Sequence, residues 1–356
     1  MYTRDILTPP KHLVQNGKPV FGTFENFPEK LDIRGVEAPF AGIPLPHIIT
    51  NFRIKSSLVF MFNIGPYIGT IDFFDQKILG YAEVVFWSKE NKRKYTYRSI
   101  MGPRRRFIPH SLQSGFCASF SKNRYIRISW DHARNRISLI FNLKGDSSRP
   151  TARAAFVAHY SEQGMTEITS SIPSPTKSRC SATYTATPAI RGSLTLGKTK
   201  LSEPITMEDI SGHAIFSINR TYYNFHVKQE FVMASGLIDG KQVSFQIFMT
   251  MENAVDAEKL NNNILCVNGQ CTPLPPVTIT HPFGIAKKWV IQDFDNMVDL
   301  TFTPASDHFR DMTLFITRSQ VHTLYGTFEG SVKTKDNENI ALHNFDGIAR
   351  NQAIRL

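Results

Sequence analysis

Nine residues between Ser211 and Ala254 are of types that could bind a ligand or carry acid-base chemistry. The candidate catalytic residues are His213, His226, Glu230 and Glu252. The candidate ligand-binding residues are Arg220, Tyr222, Asn253, Phe231 and Met233. A histidine and a carboxyl group that point into an apolar cavity can protonate an alkene or orient a carbonyl group, because desolvation moves their pKa values toward neutrality.

The polar members of this set have a structural alternative. Most polar strand residues hydrogen-bond to neighbouring backbone or face solvent, and these residues would then have no chemical role. His226 and Glu230 are four residues apart, so in a strand they share a face but lie about 13 Å apart, at a rise of about 3.3 Å per residue. Without a bulge they cannot contact each other. The spacing therefore fixes no acid-base pair.

A predicted hairpin positions most of these candidates. Asp239 and Gly240 separate two runs that can alternate, 231–237 and 243–249. An Asp-Gly pair tolerates the positive φ angles of a tight turn, so the runs should pair antiparallel. One face of the second run is wholly apolar and the other is mixed, which is typical of a barrel strand whose polar side meets water or an occupied cavity.

The rest of the chain shows the same pattern of short predicted strands. Short apolar runs with turn residues between them recur through all 356 residues, and no apolar run of about 18 residues occurs. The composition changes to Ser, Thr and Pro at 170–191, which is the best candidate for a passage between domains. We therefore predict an all-β protein with few short helices and two β-barrel domains, 1–172 and 173–356.

The net charge of +11 belongs to the first part of the chain. Residues 1–150 contain 23 Lys and Arg against 11 Asp and Glu, whereas the remainder is nearly balanced. The candidate anion-binding residues are Lys92, Arg93, Lys94, Arg104, Arg105 and Arg106. If the barrels hold an apolar ligand, such a stretch favours an anionic membrane over nucleic acid as the binding partner. The alternative is a solvated basic surface without a partner.

The first residues contain no apolar segment followed by a small-residue cleavage site. We therefore expect a cytoplasmic protein. The basic first half of the chain suggests a peripheral membrane location as the alternative. Cys266 and Cys271 flank an Asn-Gly turn and should face each other across a hairpin, as two reduced thiols or, alternatively, as a redox-sensitive pair. The histidine and carboxylate spacings fit no metal site, and phosphate-binding glycine motifs are missing, so we expect neither metal nor cofactor.

Several segments of the second half resemble a known family in order and spacing. They are Met251-Glu252-Asn253-Ala254, Val267-Asn268-Gly269-Gln270, Leu274-Pro275-Pro276-Val277, Val298-Asp299-Leu300-Thr301-Phe302-Thr303-Pro304, Tyr325-Gly326-Thr327-Phe328-Glu329-Gly330 and Gly347-Ile348-Ala349-Arg350. The sequence is similar to the family called domain of unknown function 2804. It departs from that family at Phe231 and Met233, which replace a Trp-x-Trp, and at Thr187, where a family lysine is not evident.

The resemblance implies two lipocalin-like antiparallel β-barrels packed side by side, as in hydroxyneurosporene synthase, AttH-like proteins and fungal Diels-Alder cyclases. Those relatives act on hydrophobic, often polyene substrates without a redox cofactor. Two functions are then expected. The first is binding of a hydrophobic small molecule in a barrel cavity, with docking of the basic half to anionic membranes. The second is a cofactor-independent hydratase, isomerase or cyclase that acts by acid-base chemistry. We favour binding, because the spacing fixes no acid-base pair.

Overall fold

The protein is almost entirely β-structure. The computed structural model describes residues 2–40, 42–77, 79–102, 107–147, 149–174, 176–199, 203–314 and 317–355. In these ranges one helix occurs, α1 (His47–Phe52). No helix in the described part is long and apolar enough to cross a membrane. The predicted all-β class is confirmed.

Fourteen strands form the first sheet, and two short strands, β2 and β3, pair with each other. The bounds are β1 (Ile6–Leu7), β2 (Val14–Gln15), β3 (Lys18–Pro19), β4 (Gly22–Glu25), β5 (Ile54–Ile64), β6 (Tyr67–Asp75), β7 (Gly80–Ser88), β8 (Lys94–Met101), β9 (Ser114–Ser121), β10 (Arg124–Asp131), β11 (Arg136–Leu143), β12 (Ala152–Ala158), β13 (Glu167–Pro173), β14 (Cys180–Ala186), β15 (Ala189–Leu196) and β16 (Ile205–Tyr222).

Strand β16 organises the first sheet. One of its edges pairs with β5, and its other edge pairs first with β15 and then with β14. From β5 the sheet continues through β6 and β7 to β8, and from β15 it continues through β12, β11 and β10 to β9. Strands β8 and β9 meet, so the sheet curls into a barrel.

Apolar side chains fill the interior of the first barrel. In β5, Leu58 and Phe60 belong to this core. Met61 faces the second sheet instead, because successive side chains of a strand point to opposite faces. The ring of Phe216 packs against Phe60 and Trp130, with centroids 6.1 and 5.5 Å apart. The interior is therefore a packed core.

Nine strands form the second sheet, in the order β20-β19-β18-β17-β25-β24-β23-β22-β21. Their bounds are β17 (His226–Ile238), β18 (Lys241–Phe248), β19 (Ile264–Val267), β20 (Gln270–Pro273), β21 (Thr278–Thr280), β22 (Trp289–Gln292), β23 (Val298–Leu314), β24 (Thr317–Lys333) and β25 (Asn339–Arg355). The sheet is open between β20 and β21 and curves round one apolar core, so it is a half-barrel.

The predicted hairpin is confirmed. Asp239 and Gly240 have φ angles of 50° and 76° and join β17 to β18. The change from the first to the second sheet comes after Tyr222, because β14, β15 and β16 all pair within the first sheet. The predicted boundary at 172 lies inside β13, where the Ser/Thr/Pro composition belongs to paired strands instead of a linker.

The two sheets pack with their convex faces together, and we call this contact the seam. Its apolar part includes Met61, Trp87, Phe231, Met233 and Tyr325, with Ile68, Val85, Ile215 and Ile348. Direct hydrogen bonds also join the sheets: the Trp87 indole donates to Ser306 Oγ at 3.0 Å, and the Asn63 amide donates to the Ser235 carbonyl at 2.9 Å.

Candidate functional site

Two buried ion pairs join the sheets next to the apolar part of the seam. Arg350 of β25 donates from both terminal nitrogens to Asp72 of β6, at 2.7 and 3.0 Å. Arg310 of β23 donates to Glu83 of β7 at 2.6 Å. None of these four residues is more than 6% exposed. Because removing one partner of a buried pair is strongly destabilising, the pairs hold the two convex faces in register.

Cations surround Glu83. Arg98 donates to it at 2.8 Å, and His308 Nε2 lies 3.3 Å from its carboxylate. Burial raises the pKa of Glu83, but the contact with His308 and the charges of Arg310 and Arg98 outweigh this effect and hold the pKa well below its usual range. Burial likewise lowers the pKa of Arg310, yet nearby Tyr81 and Glu83 raise it overall. Both members of this pair are therefore charged.

A cavity of about 60 Å³, which we call the inner chamber, lies against these ion pairs. Arg310 and Arg350 line it, and its other polar lining includes Ser57, Thr183, Ser217, Asn219, Gln229 and Gln246. The Nε atoms of both arginines are buried and have no hydrogen-bond partner among the described residues. Burial raises the pKa of Tyr81, which also lines the chamber, to about 12, so its hydroxyl stays protonated at neutral pH.

A wider space of about 160 Å³, which we call the outer cleft, adjoins the inner chamber. Its apolar lining includes Ile172, Tyr222, Val227, Met249, Val255 and Leu260. Tyr223, Gln229 and Phe248 line both spaces, so they stand where the cleft meets the chamber. The cleft is built by β13, β14 and β16 of the first sheet and by β17, β18 and the turns after β18 of the second.

Four of the nine predicted site residues lie along this path. His226, Tyr222 and Asn253 line the outer cleft, and Phe231 lines the inner chamber. His226 is exposed at the start of β17. The Tyr222 hydroxyl donates to the Ile33 carbonyl at 3.0 Å, and its side chain belongs to the core of the first barrel beside the cleft.

The other five predicted residues lie elsewhere. Arg220 is buried in the first barrel and donates to Ser56 Oγ and to the carbonyls of Ile108 and Pro109. Met233 belongs to the apolar seam, and Glu252 is exposed on a turn.

His213 and Glu230 are also separated from the outer cleft. His213 lines an open groove of about 520 Å³, beside Asn63 and Phe345. His213 and Tyr222 lie near opposite ends of the part of β16 that pairs with β5, so this groove lies at the other end of the seam from the outer cleft. Burial lowers the pKa of His213. Glu230 points to the concave side of the second sheet, since its neighbours Gln229 and Phe231 face the seam.

Glu230 does take part in a carboxylate-histidine pair, with a partner that the sequence spacing did not indicate. His281 Nε2 lies 3.1 Å from Glu230 Oε1, and the Asn351 amide donates to the same oxygen at 2.5 Å. Asn351 is also the ladder partner of His322, whose Nδ1 lies 2.7 Å from Asp307 Oδ2. Glu230 Oε2 and Asp307 Oδ1 are buried without a partner among the described residues.

Asp72, Glu83, Arg310 and Arg350 were not predicted from the sequence. A signal was present in the first two, because each is a charge within an apolar run, in Ile-Asp-Phe-Phe and in Ala-Glu-Val-Val. A strand of this kind is usually buried on both faces, so its charge needs a partner. The partners come from strands that lie more than 200 residues further along the chain.

The basic stretch is partly used within the protein. Lys94 donates to the Asp307 carbonyl at 2.7 Å, and Arg93 lies over the Tyr95 ring. Lys92 is exposed in the turn between β7 and β8. The predicted residues 104–106 lie outside the described residues. Among the residues that the structure does describe, no group of three His, Cys, Asp or Glu side chains could hold a metal ion.

A comparison with curated proteins finds no match. Among solved structures, the chain is similar to CghA in complex with Sch210972, with 9% identity, a TM-score of 0.44 and coverage of 85% of this chain and 88% of that one. It is also similar to kievitone hydratase from Nectria haematococca, with 10% identity, a TM-score of 0.41 and coverage of 84% and 87%. The family model described as domain of unknown function (DUF2804) matches residues 5–356. The chain therefore belongs to the DUF2804 family, as its sequence segments indicated.

Proposed function

We propose that the protein binds a hydrophobic small molecule, such as a lipid or polyene, in the outer cleft between its two sheets. The observation that carries this proposal is a mostly apolar cleft that leads to a small polar chamber. Ligand sites typically combine apolar walls with a few well-placed polar groups. We propose the cleft in place of the barrel cavity expected from the sequence, because aromatic side chains pack the core of the first barrel.

Native mass spectrometry of the purified protein, followed by solvent extraction, tests this proposal. We expect a co-purifying hydrophobic molecule in the wild type and its loss in Val227→Trp, because the larger ring occupies the cleft. Leu237→Trp is the matched control, since Leu237 is 60% exposed on the same strand and lies outside the cleft. An equal amount of ligand in both variants, or none in the wild type after reconstitution with extracted lipids, would contradict cleft binding.

A second candidate function is a cofactor-independent hydratase, isomerase or cyclase. The observation that favours it is the pair of carboxylate-histidine contacts on the concave side of the second sheet, Glu230 with His281 and Asp307 with His322. A carboxylate that holds one ring nitrogen of a histidine leaves the other nitrogen to accept or donate a proton.

Isotope labelling separates this function from binding. The extracted molecule is incubated with the protein in ¹⁸O-labelled water or in D₂O, and its mass is followed. Catalysis predicts uptake of the label by the wild type and none by Glu230→Gln, whereas Glu252→Gln on the exposed turn should behave as the wild type. Identical label uptake with and without protein would exclude this chemistry.

We propose further that the basic first barrel docks on anionic membranes through the outward face of β9 to β12. Phe116, Phe120 and Ile140 are 57%, 64% and 40% exposed there, beside the exposed Arg127 and Arg153. The segments 116–120, 125–129, 138–142 and 153–157 contain no Asp or Glu. Aromatic side chains with cations fit a surface of anionic phospholipid head groups.

Liposome flotation tests the docking face. Vesicles that contain phosphatidylserine should float the protein at low salt and much less at high salt, because salt screens the attraction. Phe116→Ser with Arg127→Glu should abolish flotation, whereas Phe294→Ser, which changes a 95% exposed ring of the second sheet, should not. Equal flotation with phosphatidylcholine alone, or capture of the face by another protein instead, would contradict the proposal.

A further inference from the structure

We propose that the inner chamber binds the carboxylate group of the molecule whose apolar part occupies the outer cleft. This inference rests on the proposed binding function and specifies its ligand as an amphipathic carboxylic acid. It is carried by two buried arginines that line a cavity with unused donors.

The charges around the chamber do not balance. Within the described residues, Arg98, Arg310 and Arg350 pair with two carboxylates, those of Asp72 and Glu83. Counted without His308, this cluster has an excess of one positive charge. The Arg98 side chain is 31% exposed, so water screens part of its charge, whereas Arg310 and Arg350 are each 5% exposed. A monoanion in the chamber would neutralise the excess, whereas a phosphate dianion would leave an excess of negative charge.

The arginines have donors available for that anion. Arg350 donates from both terminal nitrogens to Asp72 and from one of them also to Thr70 Oγ1 at 3.3 Å, and Arg310 donates from a terminal nitrogen to Glu83. The Nε groups of both remain buried without a partner in the described part of the chain. A guanidinium group can donate five hydrogen bonds, and its bonds to carboxylates are among the strong ones in proteins. The two Nε groups are therefore the donors left for a second carboxylate.

The size of the chamber fits a carboxylate head group. One water needs a cavity volume of about 10–15 Å³, so the 60 Å³ of the inner chamber corresponds to about four waters. This is room for a carboxylate and its neighbouring carbon atoms. The amide and hydroxyl groups of Gln229, Asn219 and Ser217 line the same space and can orient the head group. The hydrocarbon chain of the bound molecule would then extend past Tyr223 and Phe248 into the outer cleft.

Binding of a fluorescent polyene fatty acid tests the inference. Titration of the wild type with cis-parinaric acid should give an affinity at least about tenfold higher than titration with its methyl ester, since the neutral ester cannot form an ion pair with the arginines. If both bind equally, the carboxylate assignment fails while cleft binding stands. If neither binds, and the extraction experiment also finds no ligand, both proposals fail.

Paired variants identify the residues responsible. Asp72→Asn with Arg350→Gln removes both charges of one pair and leaves no buried charge unpaired. It should lower the affinity for the acid to that for the ester and leave ester binding unchanged. Arg318→Gln, at an exposed arginine of the same sheet, is the matched control. Unchanged preference for the acid in the double variant would overturn the inference, and thermal unfolding confirms that each variant is folded. If the double variant does not fold, the acid and ester titrations of Arg350→Lys, which keeps the charge but loses the Nε donor, decide the outcome.

Discussion

The interior of the first barrel and the seam between the sheets differ in composition. The barrel interior is mainly apolar packing, in which the ring of Phe216 contacts the rings of Phe60 and Trp130. The seam combines an apolar patch with two buried ion pairs and two adjoining cavities. The proposed ligand site therefore lies outside the barrel.

If the proposed site is correct, a barrel protein can bind a small molecule without a hollow barrel. A packed core leaves no room for a guest of useful size, because protein interiors are as dense as organic crystals. Two convex, twisted faces fit together less completely, so gaps remain where they diverge. Charged side chains from both faces line such gaps and give them polarity. Four experiments test the contrast between the barrel interior and the seam.

The largest expected effect is on stability, at the charged part of the seam. Arg350→Met leaves Asp72 buried without its partner and should lower the free energy of unfolding by about 3–5 kcal/mol. Urea unfolding measures this loss. Arg318→Met, which breaks an exposed pair, should leave the unfolding curve unchanged. If both variants unfold alike, the ion pairs do not hold the sheets together.

The second prediction separates stability from binding. Phe216→Leu in the barrel interior should lower the free energy of unfolding by about 1–2 kcal/mol, because it leaves a small cavity. It should not change ligand affinity. Met249→Trp in the outer cleft should do the reverse, with nearly wild-type stability and weaker binding of cis-parinaric acid. Loss of affinity in Phe216→Leu, with the fold intact, would place the ligand in the barrel.

The third prediction concerns pH and the rim of the first barrel. Burial and the charge of Arg220 lower the pKa of His110 from 6.5 to about 4. Between these values the unfolded chain binds more protons, so stability should fall as pH falls from 6.5 to 4, by about 2–3 kcal/mol from this residue. Thermal unfolding of His110→Gln should show a flatter pH profile. A profile identical to that of the wild type would show that burial of His110 does not affect stability.

The smallest effect is expected at the cysteine hairpin. Cys266 and Cys271 are ladder partners with Sγ atoms 2.6 Å apart, and both are free thiols. The neighbouring thiol and burial raise the pKa of Cys271 well above its usual value, so oxidation by diamide should be slow at neutral pH. Thiol titration after denaturation should therefore show four thiols after brief treatment and two after prolonged treatment, whereas Cys266→Ser should keep its three thiols throughout. Rapid loss of two thiols, or no loss after prolonged treatment, would contradict this prediction.

Much of the fold followed from local patterns in the sequence. The Asp239-Gly240 turn and the opposition of Cys266 and Cys271 were predicted from residue type and spacing, and both are present. The site was predicted less well. The sequence identified His226, Tyr222, Asn253 and Phe231, which line the outer cleft or the inner chamber, but it also grouped with them residues that the fold separates.

Local sequence patterns were enough for the class of fold, the family and the location of the tightest turns, because these depend on neighbours within a few residues. The location of the proposed site depends on how the two sheets pack. A period of two tells which side chains share a face, but it does not tell what that face meets. Asp72 and Arg350 are 278 residues apart and become partners only because a second sheet covers the convex face of the first.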